Sequence, residues 1–148
     1  MSDIDELYTD LIMEHSMHSP YKKDMQGATC SSLGHNPSCG DKITIQAKIE
    51  DGKIVDLAFS GEGCAISQSS SSIMIETLKG KTISEAKQII EIFIKMIKRE
   101  SISNEDKKLL KNARVFESVA NMPSRAKCAT LSWHTLSDLL NQLNSKNA

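Results

Sequence analysis

The chain has 148 residues, enough for a single domain with a hydrophobic core. Its formal net charge of −1 and pI of about 6.4 argue against a general electrostatic binder of nucleic acid, which carries a basic face. No apolar run reaches the length of a membrane span, and the acidic N-terminus differs from the start of a signal peptide. We therefore expect one cytoplasmic domain, residues 1–148, whose four cysteines are reduced, metal-bound or catalytic rather than disulfide-paired.

The first third of the chain predicts one helix and one strand. Residues 28–35 are rich in small and polar side chains and predict a weak edge strand that contains Cys30. The first helix should end before Pro20, because the residue before a proline avoids helical geometry. Its apolar face is formed by residues at helical spacing, namely Ile4, Leu7, Tyr8, Leu11 and Ile12.

Two stretches of alternating apolar and polar residues surround the dipeptide at 51–52, Asp-Gly. Asp-Gly between such stretches is the strongest short signal for a two-residue hairpin turn, so residues 42–60 predict a β-hairpin. The alternation after the turn places Val55 on the same face as Leu57 and Phe59.

The residues from 65 onward predict helices. Residues 65–78 contain a run of serines, but their apolar residues recur at roughly helical intervals, so we favour a close-packed helix over a linker. Gly80 marks the end of that helix, and residues 82–85, TISE, form a capping box. The capping box starts a second helix that extends to about Lys98.

Two further helical regions complete the prediction. Residues 105–116 predict one or two short helices, and Pro123 breaks the chain again. A last helix follows, with Cys128 in or near its first turn. The predicted fold class is therefore α+β, with an antiparallel sheet of about three strands, including the hairpin 42–60, packed against about five helices.

Three cysteines and one aspartate predict a metal site. Residues 36–41 read NPSCGD, and this tight turn aims Cys39 and Asp41 at the same point. The predicted hairpin returns Cys64 to that end of the sheet, and helix N-termini at Cys64 and Cys128 favour thiolates. Three thiolates and a carboxylate suit a four-ligand zinc shell with exchangeable ligands. The alternative is that these are unrelated cysteines, each buried as a small apolar side chain.

At these residues the sequence resembles the U-type iron–sulfur assembly proteins, the SufU/IscU-like family that also forms the N-terminal domain of NifU. The resemblance runs from about residue 7 to residue 140. It is carried by three motifs in order: residues 36–41, NPSCGD; residues 61–67, GEGCAIS; and residues 125–133, RAKCATLSW.

Three features resemble the SufU branch of this family rather than the IscU branch. Lys127 stands where the IscU branch usually has a histidine, and residues 119–125, VANMPSR, lack that branch's chaperone motif. The segment before Cys128 is also longer, with extra length around residues 99–110. One departure lies at Ser19, where the family often has an Asn-Pro-Arg-Asn segment, and it bears on partner contact rather than on the metal site.

The resemblance implies that Cys39, Asp41, Cys64 and Cys128 bind zinc. It implies that Cys39 is the catalytic thiol, which receives persulfide sulfur from a SufS-type cysteine desulfurase and supplies downstream cluster-assembly proteins. Two alternatives stay open: a scaffold on which an iron–sulfur cluster is built, and a zinc-stabilised interaction module without sulfur transfer. No nucleic-acid or membrane partner is expected, and the chain is expected to be a monomer or a weak homo-oligomer.

Several other polar residues are weaker candidates. Arg125 either pairs with Asp41 in support of the site or lies in solvent at a helix start. Cys30 is expected to be a strand side chain, and Lys127 to face solvent. Four histidines are expected to lie outside the metal shell, namely His15, His18, His35 and His134.

Overall fold

The computed structural model describes residues 10–37 and 40–147, with side chains to residue 143. Its fold class is the predicted α+β: a three-stranded antiparallel sheet in the order β1-β2-β3, with helices packed against it. The elements are α1 (Asp10–Met17), β1 (Cys30–Asn36), β2 (Asp41–Glu50), β3 (Lys53–Glu62), α2 (Ala65–Leu78), α3 (Ile83–Ile97), α4 (Asn104–Leu109), a 3-10 helix (Lys111–Asn121) and α5 (Pro123–Asn147).

The N-terminal predictions hold where they can be compared. Helix α1 ends before Pro20 and buries Ile12 completely, while the predicted helical residues 4, 7 and 8 lie outside the described residues. Strand β1 is an edge strand paired with β2, as predicted. A Cβ atom at Gly34 would overlap the hydroxyl of Thr135, so this glycine lets α5 cross directly over β1.

The hairpin turn has the predicted form, but one face assignment is wrong. Asp51 and Gly52 both have positive φ, 52° and 77°, as a two-residue type I′ turn requires. A β-bulge then leaves Val55 as the extra residue, because Ile49 pairs with Ile54 and Lys48 with Asp56. The bulge shifts the alternation by one residue, so Ile54 is buried and Val55 is exposed.

The serine-rich segment 65–78 is the predicted close-packed helix. Its serines at 69–72 are fully buried, because their small side chains let α5 approach α2 closely. Their hydroxyls are satisfied within the fold: Ser69 and Ser71 donate to carbonyls one turn earlier, and Ser70 donates to the carbonyl of Ala129. The Trp133 indole N–H donates to Ser70 Oγ at 2.9 Å, which fixes α5 on α2.

Helix α3 begins with the predicted capping box. Thr82 Oγ1 accepts the backbone N–H of Glu85 at 3.1 Å, and the Glu85 carboxylate accepts the backbone N–H of Thr82 at 3.1 Å. These hydrogen bonds hold the pKa of Glu85 below its ordinary value. They satisfy two amides that the helix itself leaves unpaired.

We expect Thr82→Ala to lower the free energy of unfolding by about 1 kcal/mol, because it removes the acceptor for a helix N-terminal amide. Denaturant unfolding measures this loss. Ser84→Ala is the matched control, since Ser84 is exposed in the same helical turn. An equal loss in both variants would contradict the capping role.

The start of α5 corrects one prediction. Pro123 does not break the chain before the last helix; it begins that helix, where its missing N–H costs nothing. Cys128 is therefore the sixth residue of α5, in its second turn, and not at the helix N-terminus. In the part of the chain that the structure describes, no helix is long and apolar enough to cross a bilayer.

Candidate metal centre

Three of the four predicted ligands converge at one end of the sheet. The carboxylate of Asp41 and the sulfurs of Cys64 and Cys128 lie within 4.8 Å of one another. They come from the first residue of β2, the N-cap of α2 and the second turn of α5. Asp41 and Cys128 are buried and Cys64 is exposed, so the cluster is open to solvent on the Cys64 side.

The hairpin brings Cys64 back to Asp41, as the sequence predicted. Lys42 pairs with Glu62 across the β2–β3 ladder, so β3 ends beside the start of β2. Cys64 then caps α2, and its sulfur accepts the backbone N–H of Ser67 at 3.5 Å. The positive end of a helix thus faces this sulfur and stabilises negative charge on it.

Asp41 both anchors the Cys64 loop and faces its sulfur. Its Oδ1 accepts the backbone N–H of Cys64 at 3.0 Å, while its Oδ2 lies 3.9 Å from Cys64 Sγ. The carboxylate is 1% exposed, so these contacts replace hydration that burial removes. Asp41 is therefore held in place by the same loop whose sulfur it faces.

Two residues that the sequence analysis did not single out shape this corner. Ser67 lies one turn after Cys64, with its hydroxyl 3.8 Å from Cys64 Sγ and 3.1 Å from the Cys64 carbonyl, to which it donates. A Cβ atom at Gly63 would overlap Ser67 Oγ and lie 2.9 Å from Asp41 Oδ1. Glycine at position 63 therefore allows the carboxylate and the α2 N-terminus to meet. The sequence offered one sign of this contact: Ser67 is a polar residue three positions after Cys64, at the start of the predicted helix.

Cys128 belongs to the cluster as a buried core residue and does not lie at a helix terminus. It is 5% exposed and belongs to the hydrophobic core, next to the fully buried Ala129. Because it lies in the second turn of α5, the predicted helix-end stabilisation applies to Cys64 and not to Cys128. Arg125 directs its guanidinium to the sulfur of Met122 at 3.4 Å, and the ion pairs of the described residues do not include an Arg125–Asp41 pair.

Cys39, the predicted reactive cysteine, lies outside the described residues together with Ser38. The chain on either side is described. Asn36 and Asp41 are partners in the β1–β2 ladder, and the Gly40 N–H donates to the Asn36 carbonyl at 2.9 Å. The short connection 37–40 thus starts and ends beside Asp41, and the assignment of Cys39 to the metal shell stays a prediction.

The donor set fits a tetrahedral zinc ion. Zinc bonds of about 2.0–2.3 Å to oxygen and sulfur place ligand atoms roughly 3.3–3.8 Å apart, within about 1.5 Å of the observed limit of 4.8 Å. Two thiolates and a carboxylate leave room for a further ligand, and thiolates also suit iron–sulfur clusters. Asp41, Cys64 and Cys128 can therefore supply three of the four ligands of such an ion.

The other candidates lie apart from this cluster, as expected. His15 instead links α1 to α2, with Nδ1 2.7 Å from Ser72 Oγ and Nε2 3.7 Å from a Glu76 oxygen. The Cys30 sulfur lies on β1, 3.9 Å from the Ala47 carbonyl oxygen. Among the described side chains, the one group close enough to hold a metal contains no histidine.

Comparisons with known proteins agree with this fold. The model of the family "NifU-like N terminal domain" matches residues 7–129. A Thermotoga maritima relative named iron–sulfur cluster assembly scaffold protein IscU is 36% identical over 93% of this chain and 94% of its own length. The Bacillus subtilis relative named zinc-dependent sulfurtransferase SufU is 35% identical over 91% and 90%.

Solved structures give the same result. The crystal structure of FiSufU from Fervidobacterium islandicum superposes with a TM-score of 0.85. It is 35% identical in sequence, and the match covers 90% of this chain and 96% of that one. Likeness therefore extends over nearly the whole chain in both sequence and structure.

Proposed function

This chain belongs to the NifU-like N-terminal domain family of SufU- and IscU-type iron–sulfur cluster assembly proteins, and on that premise we propose that it is a zinc-dependent sulfurtransferase. It accepts persulfide sulfur on Cys39 from a SufS-type cysteine desulfurase and passes it to the assembly machinery. The observation that carries this proposal is the convergence of Asp41, Cys64 and Cys128 beside the connection 37–40.

Four residues of this chain would hold the zinc: Cys39, Asp41, Cys64 and Cys128. When bound, zinc supplies a Lewis acid that keeps its cysteine ligands as thiolates. Asp41 is the anchor of the set, because it is buried and already accepts the Cys64 amide. Cys39 is the exchangeable ligand, because it lies on the short connection 37–40 while Cys64 caps a helix and Cys128 is buried in the core.

The transfer step is a thiol–disulfide-type exchange. The Cys39 thiolate attacks the outer sulfur of the desulfurase persulfide, and a new S–S bond forms between them. The S–S bond within the donor breaks, and its electron pair leaves with the donor cysteine as a thiolate. The exchange is redox-neutral, and the desulfurase keeps its own pyridoxal phosphate.

A second candidate function is a scaffold on which an iron–sulfur cluster is assembled and transferred. The same thiolates suit such a cluster, and two relatives of similar identity carry the different names scaffold and sulfurtransferase. The two functions differ in what the protein carries when purified.

We expect the purified protein to be colourless, to contain one zinc per chain and to stimulate a SufS-type desulfurase. Removal of zinc with a chelator should abolish the stimulation, because no ion then holds the four ligands together. Added zinc should restore it. Metal analysis measures the zinc content, and sulfide release in the presence of a reductant measures the stimulation. A brown protein whose stable cluster passes to an acceptor would favour the scaffold and contradict the sulfurtransferase.

A further inference from the structure

A groove between strand β1 and helix α5 is lined at one end by residues that neighbour predicted ligands in sequence; we call it the β1–α5 groove. Its volume is about 420 Å³. One wall is β1 and the following Pro37, two residues before Cys39, and the other is the face of α5 that begins with Lys127, next to Cys128. Both walls thus end at residues that are one or two positions from a predicted ligand in sequence.

The walls of the groove are apolar in the middle. Leu33 of β1 is 64% exposed, although leucine is usually buried, and it lines the groove with the half-buried Leu131 of α5. Gly34 and Thr135 form close contact beneath them, so the floor is built of packed backbone and side chain. An apolar side chain of a partner would cover Leu33 here.

The two ends of the groove carry opposite charges. Lys127 lies at the end near the metal centre, and Asp138 lies three helical turns away on the same face of α5. Neither belongs to an ion pair within the described part of the chain. Burial lowers the pKa of His134, between them, although Asp138 opposes this shift, so neutral pH leaves this imidazole uncharged.

The length of the groove limits which kind of ligand can fill it. The twelve residues of α-helix from Lys127 to Asp138 span about 16 Å, and residues 33–37, which run from β1 through Pro37, span about 13 Å. An extended peptide of about five residues matches this length. A folded helix end or a small metabolite would leave the apolar middle or one charged end uncovered.

We propose that the β1–α5 groove binds an extended segment of the persulfide donor, with its persulfide end at Lys127 and a basic residue at Asp138. This inference rests on the proposed function. An apolar side chain of the segment covers Leu33 and Leu131. The deprotonated persulfide is an anion, so the Lys127 ammonium attracts it towards the connection that carries Cys39.

Steady-state stimulation of the desulfurase tests this proposal. We expect Leu33→Glu to raise the concentration of this chain needed for half-maximal stimulation at least tenfold, with little change in the maximal rate. Asp138→Lys should raise it as well, and less so at high salt, because rim charges act through screened attraction. Met17→Glu is the matched control, because Met17 is also 64% exposed but lies on α1, outside this groove.

The outcomes separate the groove from the function. Equal effects of Leu33→Glu and Met17→Glu, or a larger effect of Met17→Glu, would overturn the groove while leaving sulfur transfer intact. A wild-type dimer that Leu33→Glu dissociates would make a second copy the occupant and would also overturn it. If wild-type protein gives no stimulation, the proposed function fails and the groove proposal with it. Unchanged zinc content and melting temperature must show that Leu33→Glu is folded.

Discussion

We expect the Cys39→Ala variant to lose all stimulation of the desulfurase and to retain most of its fold. The proposed sulfur transfer needs a thiol at position 39, whereas the core of the chain lies in the sheet, α2, α3 and α5. The other proposed ligands Asp41, Cys64 and Cys128 remain, so zinc should bind more weakly rather than not at all. Sulfide release measures the activity, and circular dichroism measures the fold.

Mass spectrometry provides the second readout for Cys39. After incubation with desulfurase and cysteine, the wild-type peptide that contains Cys39 should gain the mass of one sulfur, and the variant peptide should not. Cys30→Ala is the control, because Cys30 lies on β1 outside the metal cluster and its replacement should leave stimulation unchanged. Undiminished stimulation by Cys39→Ala would refute the acceptor role and favour an interaction module without sulfur transfer.

We expect Gly63→Ala to weaken zinc binding by about 10- to 100-fold, the usual effect of disturbing the residues that orient metal ligands. The added methyl group would overlap Ser67 Oγ and press on Asp41 Oδ1, so the Cys64 loop must shift away from the carboxylate. Competition with a zinc-binding dye measures the affinity, and desulfurase stimulation should fall with it.

The double variant Gly63→Ala/Ser67→Ala tests the steric reason. It removes the overlap with the hydroxyl, so part of the lost zinc affinity should return. Ser67→Ala alone is the control and should weaken binding less than Gly63→Ala, because the Ser67 backbone N–H still reaches Cys64 Sγ. A double variant as weak as Gly63→Ala would assign the loss to another cause.

Local patterns predicted most of the elements. The Asp-Gly turn, the capping box at Thr82 and the helical spacing of residues 65–78 each depend on neighbours within a few residues, and each is confirmed. The same locality explains the errors. The bulge at Val55 depends on how the opposite strand pairs at Lys48 and Ile49. The alternation of apolar and polar residues within one strand contains no information about that pairing.

The candidate metal site also has some features that the sequence predicted and others that it did not. The spacing of the hairpin predicted that Cys64 returns to Asp41, and the structure confirms that the two meet. The predicted placement of Cys128 at the N-terminus of the last helix was wrong, because a proline such as Pro123 occurs both before a helix and as its first residue. The roles of Gly63 and Ser67 appear only when α2 packs against Asp41.

The sequence by itself determined the order of the elements and, through the motifs around Cys39, Cys64 and Cys128, the family. Those features are local or are carried directly by residue identity. Only the tertiary structure decided that Cys128 joins Asp41 and Cys64, and that β1 and α5 form a groove with opposite charges at its two ends. The physical reason is that α5 meets β1 and α2 across long sequence separations, and small residues such as Gly34 and Ser70 set how closely it packs.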